Sequence, residues 1–478
     1  CCCLSHFAMH AQYYMARVLL LCLTGLGGIA AAVEKRHGVV FDAGSSGTRI
    51  HVYTWTVGGG GARDSFDLQS DELLKIKPGL SAYKDDPSKA GTSLSQLVDF
   101  AKAKIPSEKV ATTPVFLMAT AGLRMVGEVT KDAILASVCS YLSTTGFIFQ
   151  CGWATLLDGK DEGLYGWVTV NYLLDALYPG GKEPVGIIDL GGGSIQTVFP
   201  TPASPAAPPG YSHQLSFGGR QHNIYVKSHL GFGLDAARNA ALELVIKKSA
   251  TTEKPLRHPC LPIGAKMTHQ GRDLEGAGDW HRCHKLVKKL FDTEEECKFG
   301  KQCSIGGAYQ PTLPTVFYGF SYLYDRTGAI GLLDHKPSVY GTQRISRDDL
   351  ESAGKALCAM DHAAVSTRFA SVQDAAKADN FCGDVAYLEV LLDELGFNDS
   401  QQLTMTNKIK DVELVWTLGA MLAESAKLAN SEGGSSLSLG SIVLLLLALG
   451  ACFCLYKRAT AANRPIPLYR NVKTGGLP

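Results

Sequence analysis

The chain has 478 residues, of which 46 are Lys or Arg and 45 are Asp or Glu, for a formal net charge of +1. So balanced a chain carries no overall field that would hold nucleic acid, and its length suffices for two sizeable lobes. Met15-Ala16-Arg17, followed by the apolar residues 18–32 ending in small side chains, has the pattern of a secretory signal peptide. An uncleaved signal anchor is the rival reading of this leader, residues 1–32, although the run is short for a span. Either one delivers the rest of the chain to the exoplasmic side.

Residues 39–53 read as an apolar strand ending in Asp42, a tight Gly/Ser turn and a second, alternating strand. A turn of this kind can wrap a phosphate, because its backbone N–H groups are accessible with few side chains in the way. Asp42 is placed to hold a hydrated divalent cation beside that phosphate. The design recurs at residues 186–199, where Asp189 aligns with Asp42 and Gly191 with Gly44. One Asp-x-Gly turn is ordinary β-structure, whereas two, each after an apolar strand, suggest two lobes facing each other across a phosphate.

Between the hairpins the pattern predicts a strand at 73–76 and a helix at 94–103. A buried strand over residues 114–124 then runs into a small-residue turn, where Thr120 and the following amides could face the phosphates. A helix at 131–141 and a strand at 147–157 follow. The acidic, glycine-bearing loop at 158–163 then leads into a helix, and beside the two hairpins Glu162 reads as a general base that deprotonates an attacking water. Carboxylates at a helix start otherwise serve as caps or dipole complements.

Beyond residue 200 the chain is less informative. A Pro/Ala-rich loop spans 200–209, a helical part is expected to open at 217–220, and amphipathic helices are expected at 285–291, 348–359 and 387–395. A helix over 408–429 carries Trp416 back to the first lobe. Lobe I is thus expected at 33–150, lobe II at 151–405 and the return at 406–430. A Gly/Ser linker at 431–438 precedes an uncharged apolar segment, 439–456, long enough to cross a bilayer. The basic tail 457–478 is then cytosolic by the positive-inside rule. The eight cysteines between the two membrane signals are even in number, as expected of disulfides in an exported chain. Sequential pairing is the expectation, with Cys297–Cys303 and Cys358–Cys382 foremost, although sequence alone does not fix connectivity.

The segments FDAGSSGTRIHVY (41–53), FLMATAGLR (116–124), DGKDEGLYGWVTVNYLL (158–174) and DLGGGSIQTVF (189–199) resemble the first four signature regions of the apyrase family, the nucleoside triphosphate diphosphohydrolases. VWTLGAM (415–421) is similar to a fifth. The resemblance covers residues 39–423 and implies an α/β, two-lobed actin-like (ribonuclease H-like) fold with nucleotide in the cleft. It also implies Ca2+- or Mg2+-dependent hydrolysis of nucleoside tri- and diphosphates to the monophosphate. Carried over by position, Glu162 matches the catalytic base, and Ser194 and Gln196 match residues that position the water. Asp42 and Asp189 match aspartates that hold the metal through its water shell. Ser45, Ser46, Gly47, Thr48, Thr120, Ala121, Gly191, Gly192 and Gly193 match the phosphate-binding turns. Tyr324 is assigned to stacking on the base, and Trp416 to packing at the lobe junction. Gly47 stands where several vertebrate cell-surface members carry a histidine, which leaves a lumenal diphosphatase preferring GDP and UDP as the alternative. Cell surface against Golgi lumen, and the oligomeric state, are not specified by the sequence.

Overall fold

A computed structural model of the chain describes residues 33–433 apart from 45, 59–62, 64, 203–206, 249–253, 293–294, 334–342 and 373. The expected leader (1–32), membrane segment (439–456) and tail (457–478) lie outside the described residues. Among the described residues no helix is long and apolar enough to cross a membrane. One compact unit, Cys1–Leu422, holds all the sheets; of the second, Ala423–Pro478, the described part is helical and carries a Lys427–Glu424 ion pair.

The run Val39-Val40-Phe41 is fully buried because its strand has neighbours on both sides and cover on both faces. This strand, β1 (Glu34–Ala43), pairs antiparallel with β2 (Thr48–Val57), and β2 with β3 (Asp67–Ile76). On its other side β1 runs parallel to β4 (Val115–Ala119), which pairs with β5 (Ala154–Leu156), giving the order β3-β2-β1-β4-β5. The first sheet thus takes its last strand from residues beyond 150. The strand expected at 147–157 is shorter in the structure. Before Ala154 the chain makes only a lone bridge at Pro114/Ile148 and then a 3-10 turn at Cys151–Trp153, beside the disulfide to Cys139.

The second sheet repeats the plan. β6 (Gly186–Leu190) and β7 (Ser194–Pro200) form its hairpin, and β8 (Ser212–Phe217) and β9 (Arg220–Leu230) extend it on the β7 side. A small sheet of β10 (Leu256–His258), β11 (Lys266–His269) and β12 (Arg272–Gly276) stands apart. β13 (Phe317–Ser321), β14 (Arg344–Ile345) and β15 (Leu403–Met405) complete the order β14-β15-β13-β6-β7-β9-β8. Strands β9-β7-β6-β13-β15 match β3-β2-β1-β4-β5 in order and direction, so Asp42 and Asp189 end equivalent central strands. In such sheets ligands bind beyond the carboxyl ends of the parallel strands.

One expected helix is absent and another starts later than expected. Residues 217–220 are the tip of the β8–β9 hairpin, where Gly218 and Gly219 adopt φ of 54° and 83°, the two-residue turn that matches strand twist. The helix expected from 408 starts at Thr417 instead. Lys410 and Asp411, at φ 52° and 62°, close a small hairpin between β16 (Lys408–Ile409) and β17 (Val412–Glu413). The sequential disulfides form as expected: Cys139–Cys151, Cys260–Cys283, Cys297–Cys303 and Cys358–Cys382.

The buried helix Gly159–Leu173 links the two sheets. Its Asn171 accepts from Val185 N at 2.8 Å and donates to Trp167 O at 3.0 Å, pinning the chain just ahead of β6. The segment from Thr417 crosses this helix closely: Gly419 N donates to Thr169 Oγ1 at 2.9 Å, and Tyr53 Oη lies 2.8 Å from Thr417 Oγ1. A Cβ on Gly419 would stand 2.1 Å from the Tyr165 carbonyl oxygen, which cannot yield without moving backbone. Gly419→Ala is expected to destabilise by about 1–3 kcal/mol, read as a lower urea midpoint; an unchanged midpoint would contradict so close a crossing.

Candidate active site

A cleft with about 1130 Å³ of open space lies between the two hairpins and is lined from both lobes. Asp42, at the end of β1, and Asp189, at the end of β6, face it, as does Glu162 from the first turn of the linking helix. All three are buried, at 6%, 7% and 8% exposure. Burial raises the Asp42 pKa, against the opposing charge of Arg49, whose Nη1 is 3.5 Å away. Asp189 is pushed up to about 6, chiefly by burial, although Ser321 Oγ donates to it at 2.6 Å. Glu162 is pushed up to about 8: burial dominates, the Arg124 guanidinium opposes it, and the charges of Asp189 and Asp42 add to it.

Arg124 donates directly to Glu162 Oε2. On the other side Gln196 Nε2 lies 3.2 Å from Glu162 Oε2, 2.9 Å from Ser194 Oγ and 3.1 Å from Ser228 Oγ. The register explains this cluster, since Gln196 is paired with Asp189 on one strand and with Ser228 on the other. Gln196 is therefore within hydrogen-bonding reach of both Glu162 and Ser194, at the edge of the aspartate pair.

The glycines that follow the two aspartates have matching surroundings. A Cβ on Gly44 would meet Gly47 O at 3.2 Å, and one on Gly191 would meet Ser194 O at 3.2 Å. Across the cleft a Cβ on Gly193 would stand 2.8 Å from Ala121 Cβ, so glycine is what lets the second turn approach the Thr120 loop. Ser46, Gly47, Thr120, Ala121, Gly191, Gly192, Gly193 and Ser194 all line the cleft. Ser45 lies outside the described residues. Thr48 does not line the cleft; it begins β2, opposite Ile76, and is buried.

Tyr324 packs against the lobe II core and is not among the cleft residues, whereas Tyr322 and Asp325, on the same helix (Tyr322–Ala329), are. Trp416 also lines the cleft, at 3% exposure. Sequence reading missed Arg124, although it closes the FLMATAGLR segment, where a cation beside a phosphate turn is a readable signal. It also missed Arg49, Ser228, Ser321 and Tyr322, which only strand register and helix phase bring to the site.

The fold is the two-lobed, actin-like α/β architecture. The chain matches the crystal structure of nucleoside triphosphate hydrolases from Neospora caninum with a TM-score of 0.60 and 16% identity, over 92% of this chain and all of that one. The sequence profile of the GDA1/CD39 (nucleoside phosphatase) family matches residues 29–436. Probable apyrase 6 of Arabidopsis thaliana is 30% identical over 443 residues, 87% of this chain and 78% of that protein. Ectonucleoside triphosphate diphosphohydrolase 6 of Homo sapiens is 33% identical over 412 residues, 83% of this chain and 78% of that protein. The chain belongs to the GDA1/CD39 family and is a nucleoside phosphatase.

Raised carboxylate pKa values have a consequence for stability. Folded Asp189 and Glu162 bind protons more tightly than carboxylates at their ordinary values of 3.8 and 4.5, so their contribution is complete below those values. It is lost as pH rises through about 6 for Asp189 and about 8 for Glu162. In chelator, the melting temperature is expected to fall across this window, and Glu162→Gln to flatten its upper part. Equal slopes for the two proteins would refute the assignment to Glu162.

Proposed function

We propose that this cleft hydrolyses the terminal phosphates of nucleoside tri- and diphosphates to the monophosphate by a water that Glu162 deprotonates. The observation that carries the reading is the cluster of Glu162, Gln196 and Ser194 set between two aspartate-ended phosphate turns. Phosphoryl transfer asks for positioning and charge neutralisation more than for covalent chemistry. Gln196 and Ser194 hold the water in line, and the water oxygen attacks the terminal phosphorus as its proton passes to Glu162. The bond from phosphorus to the bridging oxygen breaks, and that oxygen leaves on the shortened nucleotide. Ser46 and Gly47, Thr120 and Ala121, and Gly191, Gly192 and Gly193 hold the phosphates through backbone N–H groups and hydroxyls. Tyr322, rather than Tyr324, offers the aromatic face for the base.

Two hard carboxylates at equivalent strand ends suit Ca2+ or Mg2+. Asp42 and Asp189, which both face the cleft, would hold it through its water shell. When bound, the cation neutralises phosphate charge and offsets the repulsion among the three acids. The apolar segments at 18–32 and 439–456 support an ectodomain on the extracellular or secretory-lumen side, tethered by the second of them.

Phosphate release from ATP, ADP, GDP and UDP, with calcium, magnesium or chelator, tests this. Release is expected with either cation and is abolished by chelator. Glu162→Gln is expected to lower kcat by about 10²–10⁴-fold while the protein still melts cooperatively. Full activity in that variant would remove Glu162 from the base role.

A further inference from the structure

Asn398-Asp399-Ser400 is the one Asn-x-Ser/Thr sequence in the chain. It is the acceptor pattern for N-linked sugar in an exported protein, and the four disulfides fit such a compartment. A sugar added to the entering chain is bulky and polar, so the folded protein must leave the asparagine in solvent. Asn398 meets that condition. It is exposed, as are Asp399 and Ser400, in the loop between the helix Phe381–Glu394 and β15.

The loop is tied down on both sides of that residue without using its amide nitrogen. Gln401 N donates to Asn398 O at 3.2 Å, and Asp348 N donates to Asp399 O at 3.3 Å. Arg347 Nη1 donates to Phe397 O at 3.1 Å and stands 2.8 Å from Asp399 Oδ1. Ser400 Oγ donates to Asn398 Oδ1 at 3.2 Å, on the other arm of the amide from the nitrogen that would carry the sugar. Topology sets the loop away from the cleft. β15 runs parallel to β13, and β13 to β6, so the three strands start at one end of the sheet. Asp189 lies at the carboxyl end of β6, whereas Asn398 comes five residues before β15 begins. Gln401 Nε2, donating to Pro314 O at 3.4 Å, ties the loop to the chain just ahead of β13, at that same amino end.

We propose that Asn398 carries an N-linked glycan on the face of lobe II opposite the cleft. This rests on the exoplasmic reading above and not on the hydrolase reading. In the transfer, the Asn398 amide nitrogen forms a bond to the anomeric carbon of a lipid-pyrophosphate-linked oligosaccharide. The bond from that carbon to the pyrophosphate oxygen breaks, the lipid pyrophosphate leaves, and the amide nitrogen gives up one proton. The Ser400 hydroxyl is the group that the acceptor pattern requires at the third position.

The test translates the full chain in the presence of endoplasmic-reticulum microsomes and treats it with endoglycosidase H. Asn398→Gln, Ser400→Ala and Ser400→Thr are compared with the unaltered protein. Glu128→Asn is the control, because it completes a second acceptor pattern with Val129 and Thr130 at an exposed helix start. One enzyme-sensitive step in gel mobility is expected in the unaltered protein and in Ser400→Thr. No step is expected in Asn398→Gln or Ser400→Ala, and two in Glu128→Asn. Since the loop lies away from the cleft, Asn398→Gln is expected to leave kcat and KM for ADP unchanged; a raised KM would contradict that placement. A step that persists in Asn398→Gln would overturn the assignment to Asn398. A single step in Glu128→Asn with none in the unaltered protein would overturn the glycan and leave the exoplasmic reading standing. No step in any of them, Glu128→Asn included, would overturn both.

Discussion

Three carboxylates turned into one cleft repel each other, and much of the molecule is arranged to make that tolerable. Each charge would be costly where it sits, both from lost water and from its neighbours. The structure answers with Arg49 beside Asp42, Arg124 on Glu162 and the Ser321 hydroxyl on Asp189. The compensation is partial, since all three groups keep raised pKa values. A site left short of positive charge in this way is one that gains from receiving a cation, and two arginines at its edge suit it to anionic phosphates as well.

Bringing the three acids together requires the duplicated sheet. Asp42 and Asp189 are nearly 150 residues apart in sequence, but each ends the central strand of a five-strand pattern with the same order and directions. A Cβ on Gly44 or on Gly191 would then meet the carbonyl three residues on at the same distance, and Glu162 enters from the helix that joins the sheets. That helix is fixed from both lobes, by Asn171 to Val185 and by Thr169 to Gly419. The site is thus positioned by buried backbone contacts outside its own turns, and a change at Gly419 can reach it without touching substrate.

What was legible in the sequence was local. The two Asp-x-Gly hairpins, the acidic helix start and the pairing of neighbouring cysteines each lie within one short stretch, where composition and period carry the signal. What escaped depends on phase or register. Tyr322 and Tyr324 are two residues apart at the start of one helix, and two residues turn the side chain by roughly 200°. Only one of them can therefore face the cleft, and the sequence gives no ground for choosing. Ser228 reaches Gln196 through cross-strand pairing between β9 and β7, which no linear pattern records. The hairpin at Lys410-Asp411 lacks the glycine that would have marked its turn, so an apolar run behind it read as a longer helix.

Glu162 shows best why position must be judged with its neighbours. A carboxylate in the first turn of a helix is usually explained by the cap or the dipole, an effect worth about 0.3–1 kcal/mol. Here the cap is already supplied: Asp158 accepts from Lys160 N at 2.7 Å. Asp161, next in the same turn, is more exposed than Glu162 and free to complement the dipole in water. Glu162 is instead buried against two other acids and held by Arg124 and Gln196. An acid pushed up to about 8 is disfavoured as a charge by far more than the dipole returns. Helix stability therefore does not account for its place, which fits the role in the cleft proposed for it.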